Sequence, residues 1–126
     1  MNMVDFTNGT FLKLKKIPNE NCSKELLSLL LPEERLIGTY VTVRDSVVFT
    51  DKRVISMNVQ GITGKKKDFT SMPYNKISVF SVETSGVFDL DSELEMYFSG
   101  LGKVRFEFTG HSDIVEIGKI ISEYAL

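Results

Sequence analysis

Three acids at alternate positions, Asp89, Asp91 and Glu93, are the densest set of side chains in this sequence that could do chemistry. Their spacing is that of the opening of a calcium loop. Such a loop also needs glycine at its sixth position and a bidentate glutamate at its twelfth, where this chain has Leu94 and Gly100. The run Asp89-Leu90-Asp91-Ser92-Glu93 therefore reads as turn capping followed by the solvated face of a strand, and no metal is expected.

A second candidate is Gly61-Ile62-Thr63-Gly64 followed by Lys65, Lys66 and Lys67. A phosphate loop needs four residues between its glycines and a hydroxyl after the lysine, and a KH-type GXXG loop lies between helices. Neither context is met, so the segment reads as a hairpin turn with glycine at positive φ. The three lysines remain the candidate contact for an anionic surface, with no other ligand-binding residue assigned. Lys13, Lys15 and Lys16 form a second small basic cluster, but neither is backed by a cationic excess in the whole chain.

The sole histidine, His111, follows Gly110 at a strand-to-helix joint and has no identifiable nucleophile to serve as a base. Cys22 precedes a leucine-rich helix and has no histidine nearby. A helix start can lower a thiol's pKa, yet reactivity would need a partner that the sequence does not supply. No catalytic constellation emerges, and the chain is expected to be no enzyme and to need no cofactor. Phe106-Glu107-Phe108 with Lys103 and Arg105 has the look of an RNA-stacking strand, but the aromatics share the face of Val104, which is core spacing. A net charge of −2 and a pI near 5.4 also argue against nucleic acid, whose binders neutralise phosphates.

These residues need a scaffold, and the composition supplies one. Of the 126 residues 42% are hydrophobic and 25% charged, which suits a single globular domain that needs no metal or disulfide staple. One cysteine cannot form an internal disulfide, no secretory signal pattern opens the chain, and Leu26 to Leu31 is too short to span a bilayer. The expectation is a soluble cytoplasmic protein.

Residues 1–20 read as an irregular arm with turn signals at Asn8-Gly9 and Pro18-Asn19. A short helix within 21–31 is capped by Ser23, carries Leu26, Leu27, Leu30 and Leu31 as an apolar stripe, and ends at Pro32. Strands then follow near 35–43, 46–50, 53–59, 66–72 and 78–84, rich in β-branched and aromatic residues and joined at Asp, Asn and Gly. The last hairpin alternates most clearly: Leu94, Met96 and Phe98, then Val104, Phe106 and Phe108, face one way across the Gly100-Leu101-Gly102 turn. A helix within 112–125 begins at Ser112 or Asp113 and presents Ile114, Ile117, Gly118, Ile121, Tyr124 and Ala125. The sum is a mainly β (α+β) domain over 1–126, with seven antiparallel strands in 35–109 and a C-terminal capping helix.

Seven strands and a terminal helix are the plan of the pleckstrin-homology-like (PH-like) superfold, and the residues carry the resemblance further. Phe49-Thr50-Asp51-Lys52-Arg53 is similar to a run shared by several bacterial families of that fold. More specific are Gly61 to Lys66 with Pro73-Tyr74 and Ile77, and above all Phe80-Ser81-Val82-Glu83-Thr84-Ser85-Gly86 running on to Phe88-Asp89-Leu90-Asp91 and Glu93-Leu94. Over roughly residues 24 to 126 the chain resembles the bacterial pleckstrin-homology domain family of small proteins. The resemblance implies a bent antiparallel barrel plugged by the terminal helix, no enzymatic activity, and a ring-forming homo-oligomer, with a pentamer as the leading count.

Phosphoinositide-binding relatives place Lys and Arg in and beside a long loop between the first two strands. Here that joint is Arg44-Asp45-Ser46, a poor anion cradle with an acid at its tip, which argues against phosphoinositides. Two roles follow from these readings. One is a non-catalytic scaffold that binds copies of itself and presents a face to another protein or a membrane-associated surface. The other is a carrier of a small anionic ligand or lipid headgroup, held at the barrel mouth or by Lys65 to Lys67. An exposed sheet edge favours the first, because unpaired backbone groups template further strands.

Overall fold

Alternating apolar residues demand a sheet with one buried face, and the computed structural model of the chain has one. It describes Phe6 and residues 9–60, 66–84 and 91–126. The strands are β1 (Gly9–Ile17), β2 (Leu36–Val41), β3 (Ser46–Thr50), β4 (Arg53–Gln60), β5 (Lys66–Pro73), β6 (Ile77–Glu83), β7 (Ser92–Phe98) and β8 (Gly102–Phe108). They form one bent, half-barrel sheet in the order β5-β4-β3-β2-β1-β8-β7-β6. The described residues also hold two α-helices, α1 (Lys24–Leu27) and α2 (Ile114–Ala125), and two single turns of 3-10 helix at Asn19–Asn21 and Tyr74–Lys76.

The seven expected strands are all present as β2 to β8. The eighth, β1, corrects the reading of residues 1–20 as an irregular arm. It inserts between β2 and β8, antiparallel to the first and parallel to the second, so the sheet is not wholly antiparallel. A register shift between Phe11 and Leu14, with Lys13 at φ 57°, disrupts the period of two. Phe11 and Leu14 consequently both reach the core at a spacing of three, a pattern that does not read as a strand.

Inward side chains of β1, β2, β3 and β8 meet in an aromatic cluster. Phe49 lies 5.9 Å from Phe106 and 6.2 Å from Phe108, Tyr40 meets Phe108 edge-on at 5.0 Å, and Phe11 stacks on Phe106 at 5.4 Å. Such pairs add about 0.5–1.5 kcal/mol each beyond their burial. Ile114, Ile117 and Ile121 of α2 close this core as their spacing predicted, and the Tyr40 hydroxyl donates to the Ser112 carbonyl at 2.5 Å. Neither expected capping side chain caps α2: Asp113 has a left-handed backbone and is engaged by Lys16 and His111.

A smaller cluster of Cys22, Leu26, Val48, Ile55 and Met57 covers the opposite face of β3 and β4. Ser23 caps α1 as expected, its Oγ accepting from the Leu26 N–H. The helix is shorter than the leucine run implied, ending at Leu27, well before Pro32. Of its leucine stripe Leu26 is buried, whereas Leu27 and Leu31 are exposed.

Candidate functional site

The β2–β3 joint, the end of β4 and the start of β5 lie side by side, which brings Arg44 and Asp45 to the same end of the sheet as Lys66 and Lys67. Lys65 and the Gly61–Gly64 turn lie outside the described residues. Thr42 Oγ1 accepts from the Arg44 and Asp45 N–H groups, and Asp45 Oδ1 accepts from the Val59 N–H at 3.0 Å. The acid at the tip thus ties the hairpin to β4. Lys67 Nζ is 2.5 Å from Glu25 Oε1 of α1, and Asp68 accepts from Thr70. Lys67 is thus paired with a carboxylate and Asp45 is spent on the Val59 N–H, so the end is a mixed polar surface rather than an anion cradle.

Other candidates resolve individually. Asp89 lies outside the described residues. Asp91 is exposed, and Glu93 accepts from Arg105 at 2.7 Å in a network with Glu107. Among the described residues no three His, Cys, Asp or Glu side chains are placed to hold a metal ion. His111 is solvent-exposed, with Nε2 at 3.1 Å from Asp113 Oδ1. Lys16 and His111 together hold the Asp113 carboxyl below the usual carboxylate range, the Lys16 hydrogen bond being the larger cause. Cys22 is buried, and that burial pushes its thiol up, opposed by the weaker effect of hydrogen bonding with the Thr39 side chain and the Ser23 backbone. A thiol of that kind packs and does not react. Phe106 and Phe108 are fully buried, while Lys103 and Arg105 pair with Glu95, Glu93 and Glu107 on the outer face.

The comparisons with known proteins agree with this scaffold. Residues 5–125 match the family described as Bacterial PH domain. The chain belongs to that family. The match takes in nearly all of the N-terminal segment, beyond the 24–126 span expected from the motifs. This bacterial PH domain is 43% identical over 119 residues to the uncharacterized protein YjqA of Bacillus subtilis, covering 93% of this chain and 95% of the relative. YozO of the same organism, also uncharacterized, is 28% identical over 102 residues, covering 81% and 88%. A DUF1696 family protein with a pleckstrin-homology domain from Shewanella loihica superposes with a TM-score of 0.75 at 36% identity, covering 91% of this chain and 99% of that one. The pleckstrin homology domain from Shewanella amazonensis gives a TM-score of 0.59 at 42% identity, covering 84% and 93%.

With the fold in place, the Phe49–Arg53 run acquires a physical role that its composition hid. Thr50 Oγ1 accepts from the Lys52 and Arg53 N–H groups and donates to Glu34 Oε2 at 2.6 Å. Asp51 Oδ1 accepts from the Arg35 N–H, and the Tyr74 hydroxyl donates to the Thr50 carbonyl at 2.7 Å. Glu34 was not singled out from sequence, because nothing in Glu33-Glu34-Arg35 marks which acid is buried. Its carboxylate has no solvent exposure. Burial pushes its pKa up, but Arg53, Thr50 and the Leu31 N–H together outweigh that and hold it at about 2. This signature therefore binds the fold to itself.

A second feature escaped sequence reading because it exists only once α2 packs beside β6. The two leave between them an open apolar groove of about 350 Å³, floored by Phe80, Val82 and Ile114 and edged by Val115, Gly118 and Lys119. Among the described residues no helix is long and apolar enough to cross a membrane.

Proposed function

We propose that this bacterial PH domain is a non-catalytic interaction module of the cytoplasm that works as a closed homo-oligomeric ring, five copies being the leading count. The carrying observation is an open sheet whose outer surfaces differ in charge. The β5 edge begins with Lys66 and Lys67, whereas the outer face of β6 to β8 presents Glu83, Glu93, Glu95 and Glu107 against Lys103 and Arg105. Contact between unlike, complementary patches on identical chains is head-to-tail, and such contacts close into rings when the rotation allows. A ring would repeat the basic edge several times, making a weak single contact avid. The reading as an anion or lipid-headgroup carrier has less support, since Lys67 already pairs with Glu25.

Light scattering coupled to gel filtration tests this. The expected mass is a five-fold multiple of 14.2 kDa at micromolar concentration, falling at high salt or on Lys66→Glu with Lys67→Glu. A constant 14.2 kDa over a wide concentration range would remove the ring.

A further inference from the structure

The segment after α1 holds its leucines outward. Leu27, Leu29 and Leu31 are 40%, 41% and 57% exposed, and Pro32 beside them is exposed too. Leu26 anchors the run, seated with Cys22 on Val48, Ile55 and Met57, so α1 and the turn after it form a layer on the outside of the sheet. Neighbouring exposed leucines on a raised segment mark a surface that meets something apolar. The segment is a ridge, and it lines neither the α2–β6 groove nor the hollow at the β7–β8 turn.

Its backbone suits an apolar medium. The N–H groups of Leu27, Ser28, Leu29 and Leu30 donate to carbonyls three or four residues back, and that of Leu31 donates to Glu34 Oε1 at 3.1 Å. The Leu29 carbonyl accepts from Arg53 Nη2 at 2.8 Å, and Ser28 Oγ donates to the Glu25 carbonyl at 2.6 Å. An irregular turn can leave water only when its polar groups are bonded within the protein. Past the end of α1 the Arg53–Glu34 pair supplies those bonds. It also fixes the leucines in place, so little ordering cost remains on binding.

The charges at its two ends identify the partner. Lys24 at the start of α1 and Lys52 beside Arg53 are exposed and enter no ion pair among the described residues. Of the acids nearby, Glu25, Asp51 and Glu34 are taken up by Lys67, Arg35 and Arg53, which leaves Glu33 exposed. In a chain of net charge −2 this side is thus locally cationic. Raised apolar side chains with an ammonium at either end fit an anionic bilayer. We propose that the Leu27–Leu31 ridge enters the headgroup layer of an anionic bilayer, with Lys24 and Lys52 against the lipid phosphates. The contact needs no headgroup cradle: the ridge meets Arg53 at the start of β4, whereas the β2–β3 joint meets Val59 at its other end. It goes beyond the reading as an interaction module and does not depend on the ring.

Cosedimentation of the full-length protein with vesicles of equal parts phosphatidylglycerol and phosphatidylcholine tests it. Binding to these vesicles is expected, and about tenfold weaker binding to pure phosphatidylcholine. Leu29→Ser with Leu31→Ser should weaken binding about tenfold or more while the variant still melts cooperatively. Lys24→Glu with Lys52→Glu should weaken it several-fold at low salt, with the gap closing at high salt. The chain has no tryptophan, so Leu31→Trp places its only indole on the ridge. Its emission should shift to the blue on adding the mixed vesicles, and brominated lipid should quench it. An unshifted indole on vesicle-bound protein would overturn the proposal, because charge alone would then hold the protein there. Equal affinity for both vesicles, binding to neither, or binding only once phosphatidylinositol phosphates are added would overturn it as well. So would a fall in assembly mass for Leu29→Ser with Leu31→Ser, which would make the ridge a contact between copies. A 14.2 kDa monomer that binds the mixed vesicles through the ridge would remove the ring and leave this inference standing.

Discussion

Arg53 grips Glu34 with two parallel hydrogen bonds, Nε to Oε2 and Nη2 to Oε1, both at 2.9 Å. The same guanidinium donates to the Leu29 carbonyl and to Ser71 Oγ, so one side chain joins the segment after α1 to β4 and β5. A planar fork with this many fixed acceptors is a guanidinium geometry that an ammonium cannot reproduce.

Breaking one side of this pair leaves the other charge buried. Glu34→Ala should therefore lower the unfolding free energy by about 3–5 kcal/mol. Arg53→Lys should be destabilising as well, despite keeping the charge, because it cannot donate to both Glu34 oxygens, Ser71 and Leu29 together. Urea denaturation followed by tryptophan-independent circular dichroism measures both, with a lowered midpoint and an unchanged slope as the expected result.

The same carboxylate sets an acid limit. Its folded value near 2 lies below the ordinary 4.5, so between those values the unfolded chain binds more protons than the folded one. Its stabilisation is complete above about pH 4.5 and is lost as the pH falls toward 2. Asp113, held low by Lys16, acts in the same sense. Thermal melts from pH 6 to pH 2 should fall steeply in that window, and Glu34→Gln should flatten the fall while lowering stability at neutral pH.

Which parts of this architecture could be read in advance follows from where each signal resides. Strands β2 to β8 were legible because their apolar residues alternate and their turns carry Asp, Asn and Gly. The face of α2 was legible because Ile114, Ile117 and Ile121 keep helical spacing. β1 was not, since its bulge at Lys13 puts Phe11 and Leu14 on one face at a spacing of three. Glu34 was hidden because a charge reads as surface until its partners are known. The lysine triplet was visible as charge, but the Glu25 carboxylate reaches Lys67 only through tertiary contact. The groove belongs to neither α2 nor β6 alone.

The bulged strand makes a paired prediction. Leu14 is fully buried, whereas Leu12, two residues earlier, is 53% exposed. Leu14→Asp should cost about 4 kcal/mol or more, a large share of the roughly 5–15 kcal/mol that holds such a domain together. Leu12→Asp should stay within about 0.5 kcal/mol of the parent. Equal melting temperatures for the two variants would refute the placement of β1 in the core.

Gly118 offers a gain in stability instead of a loss. It lies inside the twelve-residue helix α2, where glycine costs about 0.8–1 kcal/mol relative to alanine. The 3.4 Å approach of its Cβ to Val82 Cγ2 is ordinary contact, so Gly118→Ala meets no steric penalty. The variant should melt about 3–5 °C higher, since a domain of this size shifts by that much per kcal/mol. The methyl also shallows the α2–β6 groove. Calorimetry on the parent and the variant measures the shift, and an unchanged melting temperature would mean that the helix is strained at this position.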